Sequence, residues 1–133
     1  MEGGPSTAQF EHDTIPDGGR HIRLLEIQEI DPDGHVVCRL TTWPVAGAPA
    51  YYALSYTWGS PVPTYWISIN TLNFPAGEDC VYALKQAFSS KASQYYWMDA
   101  LCINQNTTME RSHQVGMMAQ IYARSVHVLA CVG

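Results

Sequence analysis

The chain is predicted to fold as an α/β domain, a small parallel sheet with flanking helices preceded by N-terminal β-hairpins. Three observations carry the prediction. In the second half, strand-like and helix-like segments alternate as strand–helix–strand–helix–strand, an order that short connections convert into parallel strands with right-handed crossovers. The first half instead places turn residues between β-rich segments, the signature of hairpins. Finally, the apolar runs are strand-sized, and none approaches the roughly 20 residues of a membrane span.

Residues 1–20 are rich in Gly, Pro and Asp, lack periodicity and are expected to form a flexible tail, with the domain proper at 21–133. His21–Ile30 alternates enough for a strand. Asp31-Pro-Asp-Gly34 is a turn, because proline fixes one φ and glycine can take a positive one. His35–Thr42 is the return strand, and Pro44–Pro49 a loop. Tyr52–Trp58 forms the next strand, closed by Gly59-Ser-Pro61. Trp66–Asn70 and Leu72–Phe74 make a second, smaller hairpin.

Asp79 is the expected N-cap of a helix in which Val81, Leu84 and Phe88 recur at helical spacing. Tyr95–Gln105 is expected to be a buried strand ending in polar side chains. Thr107-Thr-Met-Glu110 then has capping-box spacing and opens a helix from about Thr108 to Arg124. Its apolar stripe is predicted to be Val115, Met118, Ile121 and Tyr122, with Gly116 admitting a close neighbour. Val126–Val132, uninterrupted and apolar, predicts a strand covered on both faces.

Composition narrows the function classes. The chain's 133 residues suffice for one domain, and 47% hydrophobic against 14% charged residues excludes a disordered composition. A net charge of −5, with seven scattered Lys and Arg, leaves no nucleic-acid footprint. The N-terminus lacks a basic segment followed by an apolar one, so a cytoplasmic protein without membrane attachment is expected. Cys38, Cys80, Cys102 and Cys131 form no Cys-x-x-Cys pair and are read as buried thiols. The histidines show no metal-ligand spacing, and no glycine-rich phosphate loop is present.

The candidate site lies where the Tyr95 strand ends, since ligands of open α/β sheets collect at the carboxyl ends of strands. Asp99 serves there either as a structural carboxylate or as a ligand anchor. Asn104 and Gln105 offer amide donors and acceptors. Glu110 belongs to the capping box or acts on a substrate. Arg111 is expected to pair with a carboxylate such as Asp99. Tyr56 and Trp58, alternating onto one face at the end of the earlier strand, either pack in the core or flank a pocket. Cys102 with His113 is too weakly patterned to specify a thiol nucleophile.

Four blocks carry a resemblance: Ile22-Arg-Leu-Leu25; Tyr52-Ala-Leu-Ser-Tyr-Thr-Trp-Gly59; Trp97-Met-Asp-Ala-Leu-Cys-Ile-Asn-Gln105; and Glu110-Arg with Gln114-Val, Met118, Ile121-Tyr122 and Val132-Gly133. In this order they resemble the fungal heterokaryon-incompatibility (HET) domain across residues 21–133. The chain departs from that pattern at Cys80-Val81, where the family usually has Asn-Leu, and at Ala130-Cys131, where it has Trp-Leu. HET domains in turn resemble Toll/interleukin-receptor (TIR) domains, which implies a TIR/flavodoxin-like sheet.

The resemblance implies an effector or signalling domain of fungal non-self recognition and regulated cell death, acting by self-association or through a protein partner. Because several TIR domains hydrolyse NAD, it also implies an alternative, a nucleotide-processing enzyme. Asp99 and Glu110 would then be the catalytic candidates. Tyr56, Trp58, Asp99, Asn104, Gln105 and Arg111 would be the contacts to NAD or a related nucleotide. The catalytic carboxylate of the NAD-cleaving relatives follows a later strand, so the chain is expected to be C-terminally truncated. An inactive truncated domain is the third reading.

Overall fold

A computed structural model describes residues 12, 21–56, 65–91, 93–104 and 108–131. One seven-stranded mixed sheet organises them. Its strands are β1 (His21–Ile30), β2 (Val36–Pro44), β3 (Tyr52–Tyr56), β4 (Tyr65–Ile69), β5 (Leu72–Ala76), β6 (Tyr96–Trp97) and β7 (Val128–Cys131), in the spatial order β5-β4-β2-β1-β6-β3-β7. Pairing is parallel for β2 with β4 and for β3 with both β6 and β7, and antiparallel for β1 with β2 and β6 and for β4 with β5. Five strands therefore run one way, and only β1 and β5 run against them.

This architecture corrects the expected one in a specific way. Parallel pairing runs through β6-β3-β7 and recurs only between β2 and β4, and the antiparallel pair β1–β2 is not appended at an edge. Instead β1 lies between β2 and β6, in the middle of the sheet. That position explains why Ile22, Arg23, Leu24 and Leu25 are all buried rather than alternating.

Local chemistry sets the turns. Asp31 Oδ1 accepts from the N–H groups of Asp33 and His35, and Gly34 takes φ +85°, so the chain reverses from β1 into β2. Asn70 and Thr71 both have positive φ between β4 and β5, the mirror-image turn that matches strand twist. The Asn70 side chain also reaches the Leu40 backbone, accepting from its N–H at 2.9 Å and donating to its carbonyl at 3.2 Å. It thereby extends the β2–β4 ladder by one residue.

Two long helices sandwich the sheet: α1 (Glu78–Ser90) and α3 (Thr108–Arg124), with a single turn, α2 (Asp99–Cys102), between them. The N-cap of α1 is Gly77, so Asp79 sits inside the first turn beside Glu78, where both acids favour the helix dipole. Adjacent residues of β6 point to opposite faces. Accordingly the Tyr96 hydroxyl donates to the Ala87 carbonyl of α1, while the Trp97 ring packs edge-on against Tyr122 of α3.

Helix α3 keeps its predicted span and part of its predicted stripe: Ile121 is buried, Met118 and Tyr122 pack against the core, and Val115 does not. The inward residues are Glu110, Gln114, Met117 and Ile121, and Val115 is 52% exposed. Nothing lies within 4 Å of the place where a Gly116 side chain would stand. The final strand is likewise not covered on both faces: β7 is an edge strand, and Val128 is exposed. No helix among the described residues is long and apolar enough to cross a membrane.

Candidate functional site

The expected strand from Tyr95 to Gln105 is a strand for two residues only. After Trp97 the chain turns at Met98 and enters α2, whose Leu101 and Cys102 amides bond back to the Met98 carbonyl. Asp99 is therefore the first residue of a helical turn just past the carboxyl end of β6. Because β3 and β7 run parallel to β6, their carboxyl ends lie on the same side of the sheet. The chain passes from β3 to one neighbour, β6, and then through α3 to the other neighbour, β7. That reversal is the switch-point arrangement at which open α/β sheets bind ligands.

A buried ion pair dominates this end of the molecule. Arg23 Nη1 donates to Glu110 Oε2 at 2.6 Å and Nη2 to Oε1 at 2.8 Å, and Nη1 also donates to the Cys102 carbonyl at 3.1 Å. The Asn104 backbone N–H donates to Glu110 Oε2 at 2.7 Å. Both carboxylate oxygens are thus engaged, by Arg23 from β1 and by Asn104 just after α2. Thr107, the other half of the expected capping box, lies outside the described residues.

Electrostatics follow from that geometry. Burial alone pushes the Glu110 carboxyl upward, but the Arg23 hydrogen bonds, the Asn104 N–H and the nearby Arg23 and His12 charges outweigh it. The carboxyl consequently sits below its ordinary value and stays ionised. His12 Nε2 bonds the Leu101 carbonyl at 2.8 Å, and its ring meets Phe74 edge-on. Of residues 1–20, expected to form a tail, His12 alone is described, and it is docked on α2.

The remaining candidates separate into three groups. Asp99 and Asn104 are half-buried at this end of the sheet, and Asp99 lies close enough to Tyr122 to raise its hydroxyl, after the larger effect of burial. Arg111 is exposed on the outer face of α3 with Val115, so the cation that meets the site's carboxylate is Arg23. Trp58, Gln105 and the Tyr56 side chain lie outside the described residues. Cys102 is wholly buried, and burial pushes its thiol up to about 12, while His113 is exposed. No group of three His, Cys, Asp or Glu among the described residues could hold a metal ion.

Arg23 was the residue hidden from sequence reasoning. Its signal is a lone charge inside an apolar strand, which demands a buried partner. One further polar atom stands out: among the described residues, the fully buried Trp97 indole N–H finds no acceptor.

Residues 51–133, more than half of the chain, match the family model described as Heterokaryon incompatibility protein (HET). The chain is also similar to heterokaryon incompatibility protein 6, OR allele, of Neurospora crassa. The two are 29% identical over 140 residues, covering 93% of this chain and 21% of that protein. The chain therefore spans about a fifth of the relative's length. No solved structure matches it.

Proposed function

This chain belongs to the heterokaryon incompatibility (HET) family, and from that membership we propose that it is an effector or signalling module of fungal non-self recognition leading to regulated cell death. The carrying observation is the alignment of 93% of the chain with a protein named for heterokaryon incompatibility. In this reading the module works by self-association or by docking to a protein partner, and the Arg23–Glu110 pair holds β1, α2 and the start of α3 in their competent arrangement.

The bidentate engagement of Glu110 supports a bracing role over an acid–base role, because a general base needs an accessible lone pair. The test is expression of the chain in a fungal host beside a Glu110→Ala variant. Loss of viability with the native chain and survival with the variant is the expected result. Unchanged viability with the native chain, together with a monomeric protein at high concentration, would end this reading.

A second reading is favoured by the position of Asp99 beside the parallel carboxyl ends and by the buried Trp97 indole N–H. Here Asp99 and Asn104 would contact NAD or a related nucleotide at the switch point, and the nucleotide would supply the scissile glycosidic bond. Purified protein incubated with NAD tests it. Release of nicotinamide that disappears in Asp99→Asn supports the enzyme, and absence of release removes it.

A further inference from the structure

A surface cavity of about 430 Å³ opens at the opposite end of the sheet from Asp99 and Glu110, between the later part of β1, the end of α1 and the approach to β6. Its volume falls within the roughly 300–1,000 Å³ range of small-molecule sites. Ile27, Phe88 and Tyr96 give it an apolar lining, and Glu26, Lys91 and Gln94 contribute polar groups. Gln94 Nε2 donates to Glu26 Oε2 at 3.0 Å, which orients the carboxylate and leaves its other oxygen available.

Lys91 supplies the second observation. It is the C-cap residue of α1 and holds left-handed geometry, φ 53° and ψ 30°. Glycine is the common solution there, because a Cβ is disfavoured in that conformation. The helix dipole welcomes a cation near its C-terminus, but a lysine elsewhere in the last turn would provide that without the backbone penalty. A charged residue kept in a strained conformation at the edge of a cavity points to a ligand.

We propose that this cavity binds a small zwitterion, specifically a free α-amino acid with an apolar side chain. The ligand ammonium meets Glu26, its carboxylate meets Lys91, and its side chain covers Phe88 and Tyr96. Free amino acids suit the site better than peptide segments, because only they carry both charges on one carbon. The inference is independent of either reading of the Asp99–Glu110 end.

The experiment is titration of the whole chain with L-phenylalanine and L-leucine, followed by amide chemical shifts and thermal stability, since a ligand of the native state raises its stability. Expected are saturable shifts at residues 26, 88, 91 and 93–96, and at least tenfold weaker binding of N-acetyl-phenylalanine and of phenylalaninamide. Lys91→Gly is expected to keep or raise the melting temperature while weakening phenylalanine binding at least tenfold, and Glu26→Gln to weaken it similarly. Absence of saturable binding by the native chain overturns the proposal. So does equal affinity for the blocked derivatives, or undiminished binding by both variants.

Discussion

The Arg23 guanidinium and the Glu110 carboxylate meet through two hydrogen bonds, 2.6 and 2.8 Å long, across 87 residues of sequence, with only 2% and 9% of the side chains exposed. Their contact ties the first strand to the start of α3, and the Asn104 N–H on the same carboxylate ties in the residues just after α2. Burying two charges gains little by itself, but removing one partner leaves the other stranded. Glu110→Ala is therefore expected to cost about 3–5 kcal/mol, and Arg23→Met a similar amount. The double variant should cost much less than their sum. Urea denaturation of the four proteins measures this, and additive losses would mean that the two residues act separately.

The same pair sets an acid limit on stability. Glu110 has a folded-state pKa below its ordinary 4.5, so the unfolded chain binds its proton first as pH falls. Stability from this group is full above about pH 4.5 and is lost as pH drops through the folded value. Native protein should lose stability more steeply than Glu110→Gln below that pH. Parallel pH profiles for the two proteins would rule out this linkage.

How far the fold was legible can be judged on α3. Its limits, Thr108 to Arg124, were readable because periodicity and a helix-opening signal agree. Its inward face was legible only in part: Met118, Ile121 and Tyr122 do pack against the core, but Val115 is exposed, and Glu110 and Gln114 take core positions. Glu110 does so through Arg23, and Gln114 by donating to the His21 carbonyl at 2.9 Å. A polar residue with a distant buried partner looks like a surface residue until the partner is known. The same limit applies to the candidate residues: Asp99 and Asn104 do follow the carboxyl end of β6, but the buried arginine paired with a carboxylate is Arg23, not Arg111. Strand neighbours are non-local, so nothing near β1 in sequence indicates that it would lie against β6.

Cys38 and Cys102 should resist modification in the native state. Burial pushes both thiols up to about 12 from an ordinary 9.0, and for Cys102 the nearby Arg23 charge offsets only part of the effect. Such a rise leaves almost no thiolate at neutral pH, before steric exclusion is considered. Iodoacetamide labelling followed by peptide mapping should leave both residues unmodified until denaturant is added. Rapid labelling of Cys102 in the folded protein would revive a nucleophilic role for it.

Gly116 offers a way to separate stability from docking. It lies on the exposed side of α3, and a Cβ there would meet nothing within 4 Å. Glycine in an exposed helix interior is worse than alanine by roughly 0.5–1 kcal/mol, so Gly116→Ala should stabilise the protein by about that much. Thermal denaturation measures the gain, and a loss of stability would show that α3 is closely packed at this position. The residue expected to admit a close neighbour has none among the described residues of this chain. If the neighbour is instead the protein that the module docks onto, the alanine variant will be more stable yet weaker in the viability assay. A variant that is both stabler and fully active would confine docking to other surfaces.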